Sequence, residues 1–182
     1  MTDGFQFDEI LSFEKFPENQ VCLIIIHPER QPPHVALGFA NKYFSLTVAG
    51  TESNIPLELK MKLFRLRKTP VLFVALKQAE KTTVTEITQL FQSFPPLKET
   101  ASCLQPVVEF VRMNYSRFPE LPMLAGLLAM LQTNQLIENA YQLNMDSLLN
   151  ESGRFKLQPY DESVISRHIL RLKNRKRQQG RQ

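Results

Sequence analysis

Inside Gln20–His27 (QVCLIIIH) and inside Pro70–Lys77 (PVLFVALK) every residue between the flanks is apolar. Side chains alternate across a strand, so an apolar run without interruption leaves no face for water and reads as a buried strand. A shorter pair follows the first run. HVALGF, from His34, and YFSLTVAG, from Tyr43, are separated by a three-residue turn, Ala40 to Lys42, which suits a hairpin. Strands are thus expected at about 20–27, 34–39 and 43–49. In the last of these Phe44, Leu46 and Val48 share one face, and Tyr43, Ser45 and Thr47 share the other.

The remaining pattern mixes helices with strands. Residues 1–19 hold Phe5, Phe7, Ile10, Leu11, Phe13 and Phe16 scattered among acids and read as a short helix or strand packing on the body. From Leu57 to Leu66 apolar and charged residues alternate, as in a half-exposed strand, while Leu59, Leu63 and Leu66 also fit a helix. Thr83 and Glu86 form a capping box ahead of Val84, Ile87, Phe91 and Phe94, whose spacing gives one apolar helical face. A further helix carries Val108, Val111, Tyr115 and Phe118 on one side. Pro119 and Pro122 then break the chain before a helical region expected at 123–149. RFKLQPY reads as a short strand, and Asp161 caps a last helix from about Glu162 with a narrow stripe of Ile165, Ile169 and Leu172. The fold class is therefore α+β, an antiparallel sheet with packed helices. We divide it into a core over 1–118, a helical C-terminal extension over 119–172 packed on the core, and a basic disordered tail over 173–182.

Cys103 and His34 carry the most reactive chemistry in the chain. Ser102 and Gln105 form a second capping box with Cys103 at the first helical position; with Pro106 taken as the constraint, the helix starts one residue later and Cys103 is the cap. Either register puts the thiol at the positive end of a helix, where unpaired N–H groups favour thiolate and lower its pKa. An imidazole alongside, from His34, would complete an activated nucleophile. His27 reads as the end of its strand and His168, beside Arg167, as a solvated helix residue.

The order QVCLIIIH, HVALGF, YFSLTVAG, PVLFVALK, TTVTEITQLFQSF and SCLQPVVEFVR resembles the circularly permuted papain-like fold. There a His begins a strand and the Cys follows on a later helix, as in lecithin:retinol acyltransferase-like enzymes and a set of bacterial cysteine amide or ester hydrolases. The resemblance covers roughly residues 15–118 and implies that His34 is the general base and Cys103 the nucleophile. It also implies a polar residue on the strand after the His that orients the ring. The matching place holds Ser45, with Thr47 two residues on and on the same face; a hydroxyl accepts the imidazole N–H but carries no charge to stabilise imidazolium.

Charge and cysteine content narrow the alternatives. The chain has 22 basic and 18 acidic residues. Seven of the basic ones (Arg167, Arg171, Lys173, Arg175, Lys176, Arg177 and Arg181) follow one another without an acid, and the fifteen left against 18 acids make residues 1–166 mildly acidic, about −3. The basic segment is read either as a solubilising helix end or as a contact for a polyanion, nucleic acid or an anionic membrane surface. Cys22 and Cys103 are the only cysteines, and no Cys/His cluster has zinc spacing, so no metal or other cofactor is expected. Cys22, in VCLIII, is expected to be structural. The opening MTDGFQFDEILSFEKF is mixed and acidic, unlike a cleaved export signal, and the longest apolar run, Leu121–Leu131, is eleven residues against the roughly 20 that span a bilayer. A reduced, cytoplasmic chain with no transmembrane segment is expected. No Walker loop, GxGxxG, HExxH or GxSxG string occurs, which disfavours phosphoryl transfer and dinucleotide redox chemistry.

Two functional expectations result. In one, Cys103, His34 and Ser45 make a thiol hydrolase or acyltransferase for an amide, ester or thioester, with a small peptide, peptidoglycan fragment or lipid ester as substrate. In the other, Cys103 is a small buried hydrophobe and His34 a strand-edge residue. The protein is then a catalytically inactive scaffold or interaction module whose basic C-terminal helix binds a protein, nucleic acid or anionic membrane.

Overall fold

The computed structural model describes residues 4–79, 82–96, 102–115 and 123–179. Its main sheet is built on the two apolar runs. Strands β1 (Phe5–Phe7), β2 (Leu11–Ser12) and β3 (Val21–Ile26) come first, then the hairpin β4 (His34–Phe39) and β5 (Lys42–Thr47), then β6 (Gly50–Pro56). Helix α1 (Leu57–Leu66), strand β7 (Val71–Leu76), helices α2 (Val84–Ser93), α3 (Gln105–Asn114) and α4 (Leu124–Thr133), strands β8 (Ile137–Leu143) and β9 (Phe155–Leu157), and helix α5 (Glu162–Gln179) follow. Seven strands lie in the order β2-β8-β7-β3-β4-β5-β6, antiparallel except for the parallel β2/β8 pair, and β1 and β9 form a separate antiparallel ribbon. This is an α+β fold, a mostly antiparallel sheet with packed helices.

Every residue of β3 and of β7 is buried, so both faces of the sheet are covered. One face packs Leu23, Ile25, Val35, Leu37, Leu72 and Val74 against side chains of α2, α3 and α4, including Phe91, Phe110 and Leu128. The other packs Ile24, Ala36, Tyr43 and Phe73 under Leu57, Met61 and Phe64 of α1. Phe13 and Phe16, from the short turn after β2, lie on Phe73 with ring centroids 4.6 and 5.5 Å away. The alternating segment 57–66 is thus helical, and Leu59, Leu63 and Leu66 are the apolar residues it leaves exposed.

Three expectations are corrected. The β4–β5 turn has two residues, since Phe39 pairs with Lys42, and Ala40 and Asn41 take the positive φ values of 47° and 57° that a two-residue hairpin turn demands. The helical stretch expected over 123–149 stops at Thr133, because Gln135 enters the left-handed region (φ 56°) while the N–H of Leu136 donates to the carbonyl of Leu131 (2.8 Å) and that of Gln135 to Gln132 (2.9 Å). That is a Schellman stop without glycine. Residues 137–143 become β8, inserted between β7 and β2, so a strand of the main sheet lies beyond residue 118. The third correction concerns 173–179, which continue α5 to Gln179; no Gly or Pro interrupts 162–179, and its Lys, Arg and Gln residues are good helix formers. Phe118, Pro119, Pro122 and Arg181 lie outside the described residues.

The expected cap of α2 is present in full: the Thr83 hydroxyl accepts from the N–H of Glu86 (3.3 Å), and the Glu86 carboxylate accepts from the N–H of Thr83 (2.8 Å). Cys22 is fully buried, and burial pushes its thiol up to about 12. Gly38 faces it across the β3/β4 pair, and a Cβ there would stand 2.5 Å from the Cys22 sulfur. Gly38→Ala is therefore expected to destabilise the fold by about 1–3 kcal/mol through overpacking, and Cys22→Ala in the same chain to restore most of it. Urea unfolding of the wild type and the two variants checks this.

Candidate active site

His34, Ser45 and Cys103 come from three elements. His34 is the first residue of β4, just after Pro32 and Pro33; Ser45 is in the middle of the adjacent β5; Cys103 lies in the turn ahead of α3. The His34 ring, through Nε2, and the Ser45 hydroxyl share a hydrogen bond of 2.7 Å. Ser45 is fully buried, so the ring orients on a partner without bulk water in competition. The sulfur of Cys103 accepts a hydrogen bond from the backbone N–H of Val35 at 3.4 Å, the residue that follows His34. Thr47 is not a partner of the ring: its hydroxyl donates to the carbonyl of Gly50 (2.9 Å) and accepts from the N–H of Ala49 (3.1 Å) in the β5–β6 turn.

His34 and Cys103 line one cavity of about 60 Å³. Pro32, Pro33, Ser102 and Leu104 complete its floor, and the C-terminal segment forms its wall with Tyr160, Ile165, His168, Ile169 and Leu172. The apolar stripe read along α5 is therefore the surface turned toward Cys103. His168, expected to be solvated, is half-buried against this cavity. Asp161 caps α5 by accepting from the N–H of Val164 (3.1 Å), which fixes where the wall begins.

The electrostatics differ from the expected activated thiol. Helix α3 begins at Gln105 with Leu104 as its cap residue and no side-chain cap bond, while the N–H of Gln105 donates to the carbonyl of Ser102 (3.2 Å). Cys103 thus stands one residue outside the cap, and Ser102 caps through its backbone. Burial raises the Cys103 thiol above its ordinary value, opposed by hydrogen bonds from the backbone of Val35 and of Cys103 itself. Burial likewise lowers His34 from 6.5 to about 4, with Glu52 opposing the shift and Lys60 and His168 adding to it. Desolvation outweighs the helix dipole here, because the dipole acts within the first turn and is worth about 0.3–1 kcal/mol in most settings. Both groups rest neutral at pH 7.

Sequence reasoning missed four residues around the ring: Tyr43, Glu52, Lys60 and His168. The Ser45 hydroxyl opposes the burial that raises the Tyr43 phenol, and Glu52 pairs with Ser45 across β5/β6. Period-2 reading put Tyr43 on the face of Ser45, which was the available signal; Glu52 depends on a bulge that no local pattern announces. Among the described residues no group of three or more His, Cys, Asp or Glu side chains could hold a metal, and no helix is long and apolar enough to cross a membrane. No protein-family model, curated protein or solved structure matches the chain.

Two outcomes follow from burial. Alkylation of Cys103 by iodoacetamide is expected to be slow at pH 7, with a midpoint above the ordinary thiol value, and Cys22 to react only on unfolding. His34 binds a proton in the unfolded chain below pH 6.5 and in the folded one only near 4, so stability falls as pH drops through that window, by about 3 kcal/mol in full. Urea midpoints measured between pH 7 and 4 should show this slope in the wild type and lose it in His34→Gln.

Proposed function

We propose that the protein is a cysteine-dependent hydrolase or acyltransferase acting on an amide, ester or thioester bond, on a permuted papain-like arrangement. One observation carries the reading: the thiol of Cys103 and the imidazole of His34, remote in sequence, line the same cavity, and the ring is held from behind by Ser45. A strand-opening His, a hydroxyl on the next strand and a Cys just ahead of a helix are the parts that acyl transfer to sulfur requires.

The neutral resting state shapes the mechanism. With Nε2–H donating to the Ser45 hydroxyl, Nδ1 is the nitrogen that takes the thiol proton as the sulfur attacks the carbonyl carbon. The carbonyl π pair moves onto oxygen, and a backbone N–H near Cys103, other than that of Val35, which is given to the sulfur, stabilises that charge. Such a donor is worth roughly 2.7–4 kcal/mol when preorganised. Collapse of the tetrahedral species expels the amine, alcohol or thiol, which takes the proton from His34. Water or an acceptor alcohol or amine, deprotonated by the same ring, then attacks the thioester and regenerates the thiol. Because no thiolate–imidazolium pair exists at rest, proton transfer accompanies attack. Small peptides, peptidoglycan fragments and lipid esters are the substrate classes that fit the resemblance.

A second reading is favoured by the same burial: a catalytically inactive interaction module, in which neutral His34 and Cys103 are packing residues. In that case α5, with Arg167 and Arg171 exposed, offers a basic surface to a protein, nucleic acid or membrane. p-Nitrophenyl acetate separates the two. The hydrolase reading expects a single acetyl group on Cys103 by mass spectrometry, none there in Cys103→Ala, a loss of about 10²–10⁴-fold in His34→Ala and a smaller loss in Ser45→Ala. Equal rates in wild type and Cys103→Ala, with acetyl groups on surface lysines alone, would establish the module instead.

A further inference from the structure

We propose that Glu52 is the acidic positioning residue of the His34 site, acting on the ring across the buried Ser45 hydroxyl, and that Lys60 is its opposing cation. The inference rests on His34 as the base and deepens that reading.

The geometry comes from an irregularity in β6. Tyr43 pairs with Ile55, but Ser45 pairs with Glu52, so β6 spends one extra residue between the two pairs. Asn54 in this stretch has a φ of 55°. An uninterrupted ladder would set Ser53 opposite Ser45; the bulge sets Glu52 there, on the face that carries Ser45 and the ring. Bulges are a common device for re-aiming a side chain beside a site. Helix α1 then brings Lys60 to Glu52, with Nζ 2.8 Å from Oε2 and 4.6 Å from the centroid of the Tyr43 ring. Lys60 is mostly buried, with 15% of its side chain exposed against 38% for Glu52, so the pair lies partly shielded from water. Tyr43 lies two residues before Ser45 on β5 and shares its face. His34, Ser45, Tyr43, Glu52 and Lys60 form one connected cluster on a single face of the sheet edge.

A hydroxyl as the nearest partner orients the imidazole but leaves the developing imidazolium without a counter-charge. Glu52 supplies that charge from one strand further away. Lys60 cancels part of it, so the ring experiences the difference between two opposite charges. The charged or titratable groups around the ring are Glu52 from β6, Lys60 from α1, His168 from α5 and, at the cavity, Cys103 and Tyr160; Tyr43 and Ser45 on β5 complete the surroundings.

Removing either member of the pair uncovers the other, which gives a test of sign. In the full-length protein, with the His34 ring resonances assigned by comparison with His34→Gln, NMR titration should place the His34 midpoint below wild type in Glu52→Gln. It should lie above wild type in Lys60→Met, each by about half a pH unit or more. The pH profile of Cys103 acetylation should move in the same two directions. A structural ion pair would behave differently: both variants break the same contact, so shifts of the same sign, or none, overturn the proposal. Should Glu52→Gln fail to fold, Glu52→Asp and Lys60→Met carry the test, the first keeping the wild-type midpoint within a few tenths of a unit and the second raising it. The ring titration needs no turnover. Opposite shifts without acetylation of Cys103 retire the hydrolase reading alone, whereas an unmoved ring with acetylation intact retires the charge pair alone.

Discussion

A strand that is apolar at every position has to be covered on both faces, and this chain has two such strands side by side, β3 and β7. Their burial sends α2, α3 and α4 to one side of the sheet and α1 with the Phe13–Phe16 turn to the other. Polar chemistry is then confined to strand ends and to the β5–β6 side. His34 sits where β4 begins, and the turn before α3 brings Cys103 against the same edge. The C-terminal helix closes the edge with Ile165, Ile169 and Leu172, so a single packing requirement leads to a site with apolar walls.

That enclosure decides the protonation states. A thiol near a helix start is commonly activated, but this sulfur stands outside the cap and is packed against the core, and burial dominates the weaker dipole. The imidazole obeys the same rule with the opposite sign, since its charged form is the protonated one. The site is held in its uncharged forms while a hydrogen bond from the N–H of Val35 fixes where the sulfur lies and one shared with the Ser45 hydroxyl fixes the ring. Chemistry in such a site depends on the charges that remain within range, and Glu52 and Lys60 are placed to supply them.

Much of this arrangement was legible in the residues. QVCLIIIH and PVLFVALK announce the central strands, Thr83 and Glu86 the cap of α2, and the Ile165, Ile169, Leu172 stripe a helix face that needs covering. Ser45 was legible as the ring partner because strand alternation puts it on the face opposite Phe44. Other features depend on contacts that a local pattern does not contain. IENAYQL has too little apolar periodicity to be separated from the preceding helix, and becomes a strand because β7 and β2 offer it two edges. In α1 two stripes with the same spacing coexist, Leu57, Met61 and Phe64 inside and Leu59, Leu63 and Leu66 outside, so the segment also alternates like a strand. The bulge that aims Glu52, and the approach of His168 from the far end of the chain, are set by tertiary packing alone.

The central claim is that sulfur and imidazole line one cavity within reach of a common reagent, and a bifunctional reagent with a three-carbon span, 1,3-dibromoacetone, measures it most directly. The account predicts that after reaction of Cys103 the second arm alkylates His34, giving one crosslinked pair of peptides that contains both residues and is absent from His34→Gln. Capture of Cys103 without a crosslink to His34, or with a crosslink to His168 alone, would contradict it.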